Sequence, residues 1–272
     1  MMNAVSTPAF ILLANGSVGA AFLERVLKAG AGPVLVVRNA DGRQRDGARL
    51  LAMAEAHGTP VIDWSPASRL RILRRLAERD APWLLSVYFG HVVDAELLSA
   101  AGGRAVNLHP SLLPWNRGVH TNVWPIIERT PAGVSLHVMS RVVDSGAILA
   151  QTEVSVEPDD TAATLYARLE SAALELLSSA WPAEVLAKWP GAEQTVIGTT
   201  HRLRDFAALE TYDLDHHPGS RRFYDLLRAR SFPPHAGLRV IVDGRLVEAT
   251  ISLRDIGPAV SDEAATGEVT DA

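Results

Sequence analysis

Cysteine is absent from the sequence, and that one absence removes disulfides, thiolate zinc sites and a cysteine nucleophile together. It also fits a reducing compartment. Lysine is nearly absent: Lys28 and Lys188 are the only two, so arginine supplies almost all of the positive charge. There is no basic surplus either. The 26 Lys and Arg against 31 Asp and Glu leave a net charge of -5, without the basic footprint of a dedicated nucleic-acid binder. No apolar run is long enough to span a bilayer. Phe10 to Ala14 is apolar but short, has no basic leader and stops at Asn15-Gly16, so it reads as a core strand rather than a signal peptide. A cytoplasmic protein that needs no membrane is the expectation. With 272 residues and 47% hydrophobic residues, the chain can bury one large core and carry a small appendage.

What is present is a rhythm. Short apolar runs alternate with longer amphipathic ones through the first half. Ala9 to Leu13, Val34 to Val37, Pro60 to Ile62, Trp83 to Tyr88 and Ala105 to Leu108 read as strands. Between them, helices run from Ser17 as a cap to about Ala29, from Gly47 to His57, from Ser65 or Ala67 to Arg79, and from Asp94 to Ala100. This order predicts an α/β fold: a Rossmann-like, mostly parallel sheet with helices on both faces. A helix is expected over Thr121 to Glu128, paired strands over Gly133 to Val138 and Ala147 to Val156 with a turn at Asp144-Ser145-Gly146, and a long helix over Thr161 to Ala180. Composition changes near Pro190-Gly191. The expected domains are therefore 1–190 as the main domain, 191–253 as a small α+β appendage with a helix over Ser220 to Arg230 and a hairpin around Asp243-Gly244, and 254–272 as a disordered acidic tail.

Ligands in such sheets sit at the carboxyl ends of the strands. Two segments end there with reactive side chains: Ser86-Val87-Tyr88-Phe89-Gly90-His91 and Asn107-Leu108-His109. Residues i and i+2 of a strand face one side, so Asn107 and His109 can enter one cavity. An amide donor beside an imidazole suits chemistry at a carbonyl carbon, one group holding an oxyanion and the other moving a proton. A satisfied polar pair at a strand end is the bland alternative. Asp144 follows in a turn, where it either caps the turn or orients the imidazole as the third member of a triad. Trp115-Asn116-Arg117-Gly118 reads as a rigid turn, or as a loop in which Arg117 grips a carboxylate or phosphate. Asn15-Gly16-Ser17 opens a helix but lacks the spacing of a phosphate loop. His109, His120 and His137 match no tight metal spacing, and no metal is expected.

Asn107-Leu108-His109-Pro110-Ser111-Leu112-Leu113-Pro114, Arg117-Gly118, and Val143-Asp144-Ser145-Gly146-Ala147-Ile148-Leu149 together resemble the folate-dependent formyltransferase family, over about Phe10 to Ala180. Leu113 to Gly118 with Asn122 and Trp124, and Phe223 to Pro234 before a hairpin, resemble its sugar N-formyltransferase branch most. Pro110, Val119-His120-Thr121 and Pro125 depart from the commonest pattern there.

The resemblance implies transfer of a formyl group from 10-formyltetrahydrofolate, as cosubstrate, to a small-molecule amine, above all a nucleotide-linked amino sugar such as a dTDP-amino-deoxysugar. It implies Asn107, His109 and Asp144 as catalytic residues. It places the folate against Ser86, Tyr88, Phe89, Gly90, His91, Val92 and Asp144, and the acceptor against Trp115, Asn116, Arg117, Gly118, His120 and Asn122. Residues 191–253 look too short and too weakly basic for the barrel of the tRNA-acting branch, and the C-terminal hairpin is expected to form a homodimer interface or a substrate lid. The rival readings are a methionyl-tRNA formyltransferase-like enzyme, a formyltetrahydrofolate hydrolase with water as acceptor, and a non-catalytic folate- or nucleotide-binding module.

Overall fold

The computed structural model describes residues 8–39, 45–78, 80–213, 219–255 and 257. Its first part is β1 (Phe10–Ala14), α1 (Gly16–Lys28), β2 (Leu35–Arg38), α2 (Gly47–Ala56), β3 (Val61–Asp63), α3 (Pro66–Leu76), β4 (Trp83–Val87), α4 (Ala95–Ala100) and β5 (Ala105–His109). There follow β6 (Arg117–Gly118), α5 (Trp124–Glu128), β7 (Gly133–Val138), β8 (Ile148–Glu153), α6 (Ala162–Ala180) and α7 (Ala183–Lys188). The chain closes with β9 (Thr200–His201), α8 (Leu203–Ala207), β10 (Thr211–Asp213), α9 (Ser220–Arg230), β11 (Leu238–Val242) and β12 (Arg245–Ala249).

Seven strands form one sheet in the order β3-β2-β1-β4-β5-β7-β8. The first five run parallel; β7 pairs antiparallel with β5, and β8 antiparallel with β7. Strand alternation divides the core into two layers. Phe10, Leu12, Leu85, Val87, Val106 and Leu108 pack with α1 and α6 on one face, while Ile11, Leu13, Leu84 and Ala105 pack with α3 and α4 on the other. Strands buried on both faces read as unbroken apolar runs, which is why β1 was legible as FILLA.

The helix starts differ in one instructive place. Ser17 was expected to cap α1, but Asn15 is the cap residue, and neither side chain closes the first turn. Asn15 Oδ1 accepts from the Arg45 amide at 2.7 Å, and Ser17 Oγ donates to Glu170 on α6 at 2.6 Å. Tertiary partners outcompete the local cap. Elsewhere local chemistry wins: Ser65 and Thr161 cap α3 and α6 through reciprocal capping boxes with Ser68 and Thr164.

The 191–253 region contains the hairpin expected from sequence, β11 with β12, but β10 joins it in parallel as a third strand. β6 pairs with β9, tying the segment after His109 to the chain beyond residue 190. The expected acidic tail lies almost wholly outside the described residues. Among the described residues, no helix is long and apolar enough to cross a membrane.

Candidate active site

The last residues of β4 and β5 build the centre. Ser86 and Asn107 are register partners, as are Asn107 and His137 across β5 and β7. Because Asn107 and His109 share the register face of Ala105, both reach one side while Leu108 enters the opposite core layer. His109 is 6% exposed and Asp144 8%. His109 Nε2 lies 3.6 Å from Asp144 Oδ2 and 3.5 Å from the Asn116 carbonyl oxygen. The Asn116 carbonyl oxygen can only accept, which favours the neutral tautomer with its proton on Nε2. Burial lowers the His109 pKa, with the neighbouring His137 acting the same way, against the opposing pull of Asp144 and the Asn116 carbonyl. The resting imidazole is neutral.

Asp144 sits in the left-handed region at φ 55, a conformation aspartate tolerates better than most residues. Burial would raise its carboxyl, but His109, His137 and the Gly118 amide outweigh burial and hold it at about 2. Gly118 N–H donates to Asp144 Oδ2 at 2.9 Å. The turn is braced from behind: Gln194 Nε2 donates to the Asp144 and Gly146 carbonyls at 3.0 and 2.7 Å, and its Oε1 accepts from Arg117 Nη2 at 2.5 Å. At Gly146 a Cβ would meet the Val138 carbonyl oxygen at 1.8 Å, so only glycine allows this approach.

Two cavities open on the centre. The smaller, about 310 Å³, is lined by Ser86, Phe89, Gly90, His91, Val92 and Asp144 from the predicted folate set. Val93, His137, Met139, Ser140 and Val143 complete much of its wall. The larger, about 520 Å³, takes Gly118, His120 and Asn122 from the predicted acceptor set, and also Tyr88. Asn107, His109, Gly118 and Phe89 line both.

Trp115, Asn116 and Arg117 line neither. Asn116 is fully buried, donating from Nδ2 to Thr130 Oγ1 at 3.0 Å, and Arg117 is spent on Gln194. Both support the loop from outside the cavities. Among the described residues, no group of three or more His, Asp or Glu is placed to hold a metal.

Sequence reasoning weighed His137 only as a metal ligand and placed Arg230 and Phe232 only in the Phe223-to-Pro234 segment, and it passed over Arg45, Tyr166, Phe206 and His235. The period-two pattern of β7 put His137 on a face with Ser135 and Gly133, but only the β5–β7 pairing brings it to Asn107. The rest come from distant segments, with no local signal.

Residues 9–181, well over half of the chain, match the model of the family described as formyl transferase. The chain belongs to the formyl transferase family. Among solved structures, a sugar N-formyltransferase from a Shewanella species superposes with a TM-score of 0.77 at 24% identity, covering 92% of this chain and 99% of that one. An N-formyltransferase from Helicobacter canadensis, in complex with folinic acid and dTDP-3-aminofucose, gives 0.67 at 19% identity over 92% and 90%. The formyltransferase PseJ from Anoxybacillus kamchatkensis, in complex with UDP-4,6-dideoxy-4-formamido-L-AltNAc and tetrahydrofolate, gives 0.53 at 25% identity over 74% and 88%. In this formyl transferase the family's matched span ends where the long helix α6 passes into Trp181, and the chain beyond it supplies the far wall of the larger cavity.

Proposed function

We propose that this formyl transferase moves the formyl group of 10-formyltetrahydrofolate onto the amine of a nucleotide-linked amino sugar. The observation that carries the reading is the pair of cavities meeting at Asn107 and His109. A two-substrate transfer needs two compartments with one shared wall of reactive groups. The folate occupies the smaller cavity, against Ser86 and Phe89 to Val92, and the acceptor enters by the larger. About 520 Å³ falls within the usual range of about 300–1,000 Å³ for small-molecule sites and is far more than a water acceptor requires. The nucleotide sugars and folates bound by the Helicobacter and Anoxybacillus proteins support the same pairing.

Asn107, His109 and Asp144 carry the reaction. The neutral amine attacks the formyl carbon and a tetrahedral oxyanion forms. The Asn107 side-chain amide donates to that oxygen. His109 takes the proton from the ammonium nitrogen, and the Asp144 carboxylate stabilises the imidazolium. Collapse breaks the bond to the folate nitrogen, which leaves with a proton as tetrahydrofolate. Residues 1–190 act as the catalytic domain, and 191–253 as a second unit that closes the acceptor cavity and pairs two copies of the chain. β12 supports this pairing: it is an edge strand whose Leu246 is 62% exposed, a surface that proteins ordinarily cover. The assembly is a cytoplasmic homodimer, and sedimentation velocity checks its mass.

Incubation with 10-formyltetrahydrofolate, with and without a nucleotide-linked amino sugar, tests the function. A formamide product that requires the amino sugar is expected. Folate hydrolysis at the same rate without it, or folate binding without turnover, overturns the reading.

A further inference from the structure

The larger cavity holds an uncompensated cation. Arg230 ends α9, half-buried, with its guanidinium carbon 4.3 Å from the centroid of the Phe206 ring. Among the described residues it has no ion-pair partner, and its Nε is sealed from solvent without a hydrogen-bond acceptor. Burial, and then Arg239, depress its pKa against the pull of Glu210. His120 stacks on the same Phe206 ring at 3.7 Å and 20°. Burial, Arg230 and His235 all act to keep His120 unprotonated. Arg45, His120, Arg230 and His235 all line this cavity, and no aspartate or glutamate does. A desolvated guanidinium without a carboxylate is costly unless a ligand brings the negative charge. Its planar fork fits phosphate oxygens, and the stacked His120 and nearby His235 supply further donors to the same anion.

We infer that Arg230, flanked by His120 and His235, binds the phosphates of the acceptor's nucleotide carrier and makes the enzyme select phosphate-linked amines over free amino sugars. This rests on the proposed formyl transfer only for the identity of the reacting amine; the anion site stands on the cavity itself. The phosphate anchor and His109 line one cavity, so a bound diphosphate directs the attached sugar toward the catalytic centre.

The test compares wild type with Arg230→Met and Arg230→Lys. Calorimetric titration with dTDP and with UDP is expected to show binding by the wild type, weakened at least about tenfold in Arg230→Met and partly restored in Arg230→Lys. With a nucleotide-linked amino sugar, Arg230→Met should raise the acceptor KM far more than it changes kcat, and leave the KM for 10-formyltetrahydrofolate in place. Arg230→Met should melt no lower than wild type, because it removes an unpaired charge. Equal diphosphate affinity in wild type and Arg230→Met, no diphosphate binding by the wild type, or a lower melting temperature with lost secondary structure overturns the inference. A wild type that binds diphosphate through Arg230 yet forms no formamide overturns the proposed function instead.

Discussion

Asn107 Nδ2 lies 3.2 Å from His137 Nε2 across β5 and β7. In the neutral imidazole the amide donates, Nε2 accepts and the His137 proton sits on Nδ1, where it donates to the Val138 carbonyl at 2.9 Å; only a protonated His137 would also present Nε2–H to Asp144 Oδ1, 3.6 Å away. One amide hydrogen of Asn107 is thereby fixed and the other is left for the substrate. In the proposed reaction His137 is a positioning residue, holding the amide plane before the oxyanion develops.

Asn107→Ala is therefore expected to lower kcat by about 10²–10³, the usual cost of one oxyanion donor. His137→Ala should cost about tenfold, and His137→Gln, which keeps an acceptor, should recover much of it. The double variant should be no worse than Asn107→Ala alone, since the two residues act as one unit. Additive losses in kcat would show that His137 works independently of Asn107.

In the proposed reaction the His109–Asp144 pair sets the pH profile. Burial holds the His109 pKa below its ordinary value of about 6.5, so kcat/KM, corrected for the fraction of acceptor present as free amine, should stay level from neutral pH downwards and fall only below that value. Asp144 pulls the His109 pKa upward. Asp144→Asn removes that pull, so its acid limb should move to still lower pH. His109→Ala and Asp144→Ala should each lose at least about a hundredfold in turnover with the fold retained. An acid limb that moves upward in Asp144→Asn would contradict the assignment of the limb to His109.

Stability should fall in two acid windows, each with its own group. His109 and His120 have folded pKa values below the unfolded value of about 6.5, so the unfolded chain binds more protons and stability declines as pH drops below that point. Asp144, at about 2 folded against about 3.9 unfolded, contributes stability that is complete above pH ~3.9 and lost as pH falls toward 2. Its share is roughly 2.5 kcal/mol by that difference. Urea denaturation at several pH values should show the upper decline shrinking in His109→Gln and shrinking again in His109→Gln/His120→Gln. The lower decline should persist but weaken, because His109 helps hold the Asp144 carboxyl down.

The parallel sheet was legible because its central strands are buried on both faces and so read as apolar runs between amphipathic helices. Asn107 and His109 were legible because strand geometry fixes i and i+2 on one side. The Trp115-to-Gly118 loop is a different case. Arg117 and Asn116 looked like ligand groups, but Gln194 and Thr130, 77 and 14 residues away, claim their side chains. Phe206 lay beyond local reasoning, and Arg230 was read only as the end of a helix: α8 and α9 reach the cavity through packing against the main domain, and no periodicity reports that. β10 escaped notice for a similar reason, since three residues joining a hairpin in parallel leave almost no pattern.

Gly118 couples the loop to the catalytic centre and should tolerate no side chain. Its φ is 95, and a Cβ would stand 2.2 Å from the His201 carbonyl oxygen. The backbone cannot retreat freely, because β6 pairs with β9 at this residue and its N–H is bonded to Asp144. Moving away from His201 pulls the amide from the carboxylate. Gly118→Ala is thus expected to cost about 2 kcal/mol or more in unfolding free energy and to lower kcat beyond what the lost stability explains. Gly16→Ala is the control: its φ is 71 but nothing lies within 4 Å of the added Cβ, so it should carry only the conformational penalty, about 1 kcal/mol, with kcat preserved. Matching losses in the two variants, by denaturant unfolding and by turnover, would mean that the His201 contact and the Asp144 bond contribute nothing at Gly118.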